Sequence, residues 1–504
     1  MLSPLSVISA LSAVVLVVWF QSQIAWRTRT RGRPLPPGPH GLPVIGNLFN
    51  SPTKRLWIAY EELSARYGDI FHFRTFGQST VVLASPDVIN EFLDKRSIET
   101  SDRRQTALMK LLGLDISMSF MRYGARWRLY RRTFAPRFHP DKLVQHQPKQ
   151  LATAYSFLRR LLDTPAELDE HIRYTFAATV LKVLYGIDPE EKDDPLIAAV
   201  ESTMEGIGQG LVPGKFMVEH IPVLRHVPAW FPGAGWQNAF REWRAARDVM
   251  TNTPFERSMA AFVSFTALDE TNEHRTDLVS GDQRTLRQNV ASIAFEAAFL
   301  ALSLAPDVVK KAHTELDAVV GPNRLPNFGD RDALVYVNAI ALEALRWHTV
   351  VPIGVPHCTI ADTELRGYFI PAGTAVIANI WCVLHARPRR FPDPYVFRPE
   401  RFIREGKLDV GDRDPRHSCL YPSVVRICPG RHFAQAGLFL NFACVLHVFD
   451  ISPPVDEHGN EIKIEPAVTD GFLSYPEDSR CTIKVRSPAA EALILEHTGC
   501  HGRS

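Results

Sequence analysis

The sequence predicts a mainly α-helical protein with a small β region, an α+β fold built as one large domain behind an N-terminal transmembrane anchor. Residues 86–348 read as mainly helical, and the last third mixes helices with short strands and turn clusters. Residues 70–77 alternate and end in glycine as a strand does, and residues 80–83 read as the partner strand. Residues 5–20 carry no charge at all.

Taken in order, the first charged side chain is Arg27, so residues 5–26 reach about 20 residues, the length of one membrane span. Arg27, Arg29, Arg31 and Arg33 follow. The positive-inside rule then keeps the large domain cytosolic, and Trp19 and Trp26 suit an interfacial belt. A cleaved signal peptide is the rival reading. It fits less well, because the positive charge follows the apolar run instead of preceding it. The expected organisation is an anchor over 1–26, a basic and proline-rich hinge over 27–46, the main domain over 47–487, and a loose tail over 488–504. Within the domain, 54–66 reads as a helix, with Leu56, Ile58, Ala59, Leu63 and Ala65 among polar residues. Residues 367–374 read as a hairpin element and 404–420 as a polar, irregular loop.

Composition narrows the function classes. The 504 residues are 45% apolar and 22% charged, ordinary for a globular protein with a large core. A formal net charge of +2 leaves no basic excess for nucleic acid. The seven cysteines (Cys358, Cys382, Cys419, Cys428, Cys444, Cys481 and Cys500) include no C-x-x-C pair. Zinc is therefore not expected, and their scatter suggests reduced thiols in a cytosolic compartment.

Chemistry concentrates around Arg426-Ile427-Cys428-Pro429-Gly430-Arg431-His432-Phe433-Ala434. A cysteine at the entrance of a helix sees the positive end of the macrodipole, which favours the metal-binding thiolate. Such a thiolate suits an axial ligand to haem iron. A lone cysteine in an apolar stretch is otherwise a small buried hydrophobe. Further upstream, Trp127 and Arg131 stand one helical turn apart, two donors suited to a carboxylate, although a solvated basic helix would show the same spacing. Arg128 and Arg132 keep that solvated role, as a docking patch for an acidic partner. Glu343 and Arg346 form an E-x-x-R pair on an apolar helix, a spacing that is usually a surface ion pair. Pro356-His357 and Pro399-Glu400-Arg401-Phe402 follow in order.

This succession resembles the cytochromes P-450, the haem-thiolate monooxygenases, over roughly residues 36–487, and its wording resembles fungal members. The resemblance implies a P-450 fold with a single haem domain, haem b as cofactor and Cys428 as the axial ligand of its iron. It implies that Trp127, Arg131, His357 and Arg426 meet the haem propionates. It also implies that Glu343, Arg346 and Arg401 form one buried structural network. Electrons would come from NADPH through a separate membrane-bound flavoprotein reductase, and the substrate would be a hydrophobic small molecule. Met118 to Phe120, Phe295, Val351 to Val355, Phe472 and Leu473 would wall its pocket. The location implied is the endoplasmic reticulum membrane, with one N-terminal span in the bilayer and the haem domain cytosolic.

The chain departs from the family pattern at two places. The family's F-G-x-G-x-R-x-C-x-G reads here as residues 421–430, with Val424 where the second glycine belongs. A β-branched residue resists the positive φ and close approach that glycine permits. In the central helix, A-G-x-[DE]-T is missing between Ala297 and Ala298 while both flanks match, and Glu296 lies one turn too early to replace the acid. No catalytic acid–alcohol pair is assignable, and oxygen activation should be impaired. Two alternatives follow: a haem-thiolate isomerase or dehydratase with no electron demand, or an inactive relic of the fold. Both departures are also what gene-model errors or gene lesions would leave. With one choice of codons for 422–425, reading two bases later gives Phe-Gly-Arg in front of Arg426.

Overall fold

The computed structural model describes residues 17, 20, 21, 23–266, 281–386, 390–411, 414, 415 and 425–499, with backbone only for 259–266 and 281–289. Most of the expected anchor and residues 421–424 of the cysteine loop lie outside the described residues, as do Cys419 and Cys500.

Helix α1 (Leu56–Tyr67) buries Leu56, Trp57, Tyr60 and Ser64, a stripe one helical turn wide, and matches the helix expected over 54–66. Strands β1 (Ile70–Thr75) and β2 (Gln78–Leu83) pair antiparallel, Phe73 opposite Thr80. Phe76 (φ 46°) and Gly77 (φ 78°) turn the chain between them with both residues left-handed, the geometry that matches strand twist in a two-residue hairpin. The helical part follows: α2 (Ala125–Phe134), α3 (Gln147–Asp163), α4 (Leu168–Tyr185), α5 (Pro195–Gly210), α6 (Trp236–Thr266), α7 (Gly281–Ser303), α8 (Pro306–Val319) and α9 (Val335–Trp347). The last third holds β3 (His357–Cys358), β4 (Thr363–Leu365), β5 (Tyr368–Ile370), β6 (Ala375–Ala378) and α10 (Ile380–His385). It closes with β7 (Ile403–Arg404), β8 (Lys407–Leu408), α11 (Arg431–Val448), β9 (Phe449–Ser452), β10 (Thr482–Val485) and α12 (Pro488–Gly499).

The main sheet has the order β1-β2-β6-β3. Parallel pairing of β2 with β6 sets Val82 against Ile377, and antiparallel pairing of β6 with β3 sets Val376 against His357. This sheet thus brings the His357 segment into one sheet with the N-terminal hairpin, with β6 between them. Strands β4 and β5 form the hairpin expected near 367–374.

Helix α7 is buried on every side from Ala291 to Leu302, which makes it a core helix and not a surface one. Phe295 gathers Phe157 of α3, Phe176 of α4 and Phe442 of α11, with ring centroids 5.9, 5.7 and 4.7 Å away. Among the described residues no single helix is long and apolar enough to cross a membrane; only α7 and α8 together, bent by 105°, reach that composition.

Two expectations about the ends change. The proline-rich run of the hinge is not a free spacer: Pro34 O accepts from Phe369 N (2.8 Å) and Pro37 O from His72 N (2.8 Å). Gly46 (φ 65°) closes it against β1, where a Cβ would lie 1.7 Å from Arg74 O, so only glycine fits. Trp26 packs on Phe369 and Arg29 chelates Asp362, at 2.7 and 2.6 Å, so this part of the arginine run is docked on the domain. At the other end, the loose tail expected over 488–504 is corrected: 488–499 form α12, because Ala490, Leu493 and Ile494 are buried against α3 and α11.

Candidate functional site

Cys428 lies two residues before Gly430, the N-cap of α11, and is only 6% exposed. Its carbonyl accepts from Arg431 N (3.4 Å) and from Arg431 Nη1 (3.2 Å), which fixes the turn. The thiol therefore stands at the positive end of an 18-residue helix whose far half is core. The described cysteines form no disulfide with one another, and burial pushes Cys358 up to about 11.

Four segments converge beside Cys428. Arg426 donates to Ser101 O (2.8 Å), Met118 O (3.2 Å) and Met121 O (2.9 Å), and its guanidinium lies over the Trp127 ring at 4.5 Å. Trp127, on the buried face of α2, donates its indole N–H to Met118 O (3.2 Å). Arg131, one turn on, donates to Ile427 O. The sequence-predicted residues Trp127, Arg131 and Arg426 thus share one cluster with Cys428, although their donors here meet main-chain carbonyls. Arg128 and Arg132, each about 100° further round α2, are exposed.

His357 reaches the cluster from β3. Its Nδ1 lies 3.0 Å from Thr100 O, so Nδ1 carries the proton. Burial, then the Arg103 charge, hold the ring well below its ordinary range, so it is neutral at pH 7. Its Nε2 then has a lone pair and no hydrogen, and it becomes a carboxylate donor only when an anion beside it raises its proton affinity.

Arg103 is a residue that sequence reasoning missed. It is buried and donates to Ser119 O (3.0 Å), Val355 O (2.8 Å) and Pro356 O (2.7 Å). Asp102-Arg103-Arg104 reads as a surface turn, with no spacing that marks it otherwise. Only the bridge of Ser101 and Asp102 to Cys358 draws it inside. Burial lowers Arg103, and it lowers Arg426 to about 10; neither has an ion-pair partner among the described residues. The nearby carboxylate, Asp102, is chelated by Arg122 at 2.8 and 3.1 Å and held below its usual range by those bonds and by Tyr123 N, against the upward push of burial. Ser101 Oγ is buried without a partner.

A buried and a partly buried arginine that make no ion pair among the described residues are costly. The donor set fits the two carboxylates of a haem edge, and one buried thiol at a helix entrance fits its iron. Cys428, Arg103, Trp127, Arg131, His357 and Arg426 are the residues that would hold it.

Behind this cluster, α9 places Glu343 and Arg346 with both side chains fully buried, bonded at 2.7 and 2.8 Å. Arg401 adds a bond to Glu343 Oε1 at 3.1 Å and donates to Pro392 O, Asp393 O and Val396 O. Arg398 N and Pro394 O complete the set. The three residues stand together, and each has its partners inside the network.

Of the expected pocket walls, Phe120 and Phe472 pack together at 6.4 Å and line a cavity of about 130 Å³, with Pro356. Phe295 lies instead in the aromatic core. In α7 the described side chains from Val290 to Ser303 include no threonine and one carboxylate, Glu296. Burial pushes Glu296 up to about 8, helped by Asp169, so at pH 7 it is mostly protonated.

A helix-rich domain with a buried thiol at a helix entrance, a cationic cluster beside it and a sealed Glu-Arg-Arg network is an arrangement that would suit a haem-thiolate protein. The Cytochrome P-450 family profile matches residues 36–258 and 289–477, and the chain belongs to that family of oxidoreductases. It is 38% identical to cytochrome P-450 monooxygenase 208 of Postia placenta, over 96% of each chain. It is 35% identical to cytochrome P-450 monooxygenase COX2 of Coprinopsis cinerea over 92% of each, and 34% identical to tryptamine 4-monooxygenase of Psilocybe cyanescens over 91% and 94%.

Proposed function

We propose that the chain is a haem-thiolate monooxygenase of secondary metabolism or xenobiotic oxidation, acting on a hydrophobic small molecule. The observation that carries this reading is Cys428, buried at the mouth of α11 beside Arg103 and Arg426, which make no ion pair among the described residues. Haem b would supply activation of O₂, with one oxygen atom entering the substrate and the other leaving as water. The chain's own part is to offer the Cys428 thiolate, to hold the cofactor's acidic edge through Trp127, Arg131, Arg426, Arg103 and His357, and to keep water from a pocket walled by Phe120 and Phe472. Electrons would come from NADPH through a separate reductase, for which Arg128 and Arg132 give a basic docking face. Residues 1–26 would anchor the chain in the endoplasmic reticulum membrane.

One observation favours a second reading. Residues 290–303 offer no acid–alcohol pair, and Glu296 is a carboxyl kept neutral by burial. An isomerase or dehydratase on the same haem needs no such relay and no reductase. The test is the reduced-plus-CO difference spectrum of the purified chain and of Cys428→Ala. A thiolate-type Soret band is expected in the parent and not in the variant; a band that survives in Cys428→Ala overturns the assignment. Turnover that proceeds without NADPH and reductase selects the second reading. A parent chain without the band is the relic, and cDNA covering 297–298 and 421–425 then shows whether the transcript encodes those segments as written.

A further inference from the structure

Two cavities meet between the N-terminal hairpin and the helical part, sharing Gln78 and Arg104 in their walls. The outer one, about 250 Å³, is lined by Arg29, Arg74 and Arg104 together with Trp26 and contains no carboxylate in its wall. The inner one, about 130 Å³, is mainly apolar, with Tyr60, Phe73, Leu108, Ile377, Phe120 and Phe472. Its end at Pro356 and Phe120 adjoins the Cys428 cluster, since Arg103 donates to Pro356 O. A ligand lying through both would have one charged end and one greasy end.

The charges in these walls are unequal in what they already do. Arg29 is occupied by Asp362 at 2.6 Å. Glu219, the single carboxylate of the inner wall, accepts from Gly214 N at 3.0 Å. His220 lies near Gln78 (3.4 Å) and is held below its ordinary range, first by burial, with Glu219 opposing and Arg104 adding to it; it is neutral at pH 7. Arg104 is half-buried, and neither it nor the exposed Arg74 side chain has a hydrogen bond or ion pair among the described residues. A guanidinium that is partly desolvated and unpaired gains from an anion placed on it, and its planar fork suits a carboxylate. Successive residues point opposite ways here: Arg103 faces the cysteine cluster and Arg104 faces the cavities.

We propose that Arg104, backed by Arg74, receives the anionic head of an amphiphilic substrate whose apolar body fills the inner cavity toward Phe120 and Phe472, so that the substrate class is apolar organic acids. The word substrate rests on the monooxygenase reading; the binding site rests on the two cavities alone. The same head chemistry is offered by a phospholipid phosphate, and the outer wall adjoins the helix that carries Trp26.

The experiment is calorimetric binding of decanoate and of decan-1-ol to the full-length chain, to Arg104→Gln and to Arg104→Lys, with thermal melts to establish folding. Arg104→Gln should weaken decanoate by about tenfold or more and leave decan-1-ol unchanged, the size of one lost charge-assisted bond. Arg104→Lys should retain most of the affinity. Equal decanoate affinity in Arg104→Gln, or equal loss for both ligands, overturns the proposal. A second arm measures flotation with phosphatidylglycerol and with phosphatidylcholine vesicles. Unchanged flotation of Arg104→Gln supports a soluble acid; loss confined to phosphatidylglycerol, with decanoate unaffected, assigns the site to lipid and overturns it. A parent chain without the CO band that still binds decanoate through Arg104 removes the monooxygenase reading and leaves this site standing.

Discussion

Two arginine clusters lie inside the domain, and they are built on opposite plans. Behind the helices, Arg346 and Arg401 close on Glu343 within 3.1 Å, and nearby carbonyls take the remaining donors. Beside Cys428, Arg103 is buried and Arg426 partly buried, yet their bonds go only to carbonyls, and the nearby Asp102 is held by Arg122. A buried charge with its counter-charge is finished structure. Cations whose bonds go only to carbonyls, with the nearby carboxylate already held by Arg122 and the buried Ser101 hydroxyl without a partner among the described residues, suit an anion. The first cluster carries its own ion pairs; the second forms one only when something acidic enters.

The largest break in this comparison should come from Glu343→Ala. It leaves Arg346 and Arg401 buried and unpaired, and should cost roughly 3–5 kcal/mol in urea or thermal unfolding, a large part of the ~5–15 kcal/mol of a domain. A loss below about 1 kcal/mol would reduce the network to the weight of a surface pair.

Arg426→Met probes the other plan. In protein freed of haem it should cost about 1–3 kcal/mol, from the orphaned carbonyls of Ser101 and Met121, since Met118 O keeps the Trp127 indole. Haem transfer to an excess of apo-acceptor should meanwhile speed up by about tenfold or more, since a charged hydrogen bond to a carboxylate is lost. Haem retention equal to the parent's would remove Arg426 from the anion receptor.

Glu296 lies in neither cluster and gives a pH signature. Its folded-state pKa of about 8 exceeds the usual carboxyl value, so the folded chain holds this proton when the unfolded chain has released it. Its contribution is therefore fully present below about pH 4.5 and is lost as pH rises toward 8. Glu296→Gln should flatten that decline and be more stable than the parent at pH 8 by about 2–4 kcal/mol. Parallel pH–stability curves would show that the carboxyl is solvated. His348, held at about 4 chiefly by burial, acts at the acid side: stability should fall as pH drops from 6.5 toward 4 in both proteins.

The smallest expected effect concerns the N-terminus. Removing residues 1–26 should release the chain from membranes only in part, read as the fraction left in a carbonate-washed pellet. Trp26 goes with the deletion, while Arg29 stays chelated by Asp362 and leaves the domain intact. Complete retention would count against a single anchor.

The sequence by itself determined the elements whose pattern is local. The alternation within residues 70–83 and the helix over 54–66 are read directly from residue spacing, although Trp57, Tyr60 and Ser64 and not Ile58, Leu63 or Ala65 join Leu56 on its buried face, and so is the order of Trp127, Glu343, Arg401 and Cys428 along the chain. Ordered motifs of that kind reach the family, because each fixes a residue type at a position. The tail was misread because Leu493 and Ile494 form too short an apolar pattern to stand as a helix until α3 and α11 cover it. Tertiary structure alone decided which charges are paired. Glu343 meets Arg401 from 58 residues away, Arg103 enters the core through a bridge to Cys358, and Arg104, its neighbour, faces the cavities instead. Desolvation decides whether an arginine is surface, strut or receptor, and desolvation depends on what the rest of the chain lays over it.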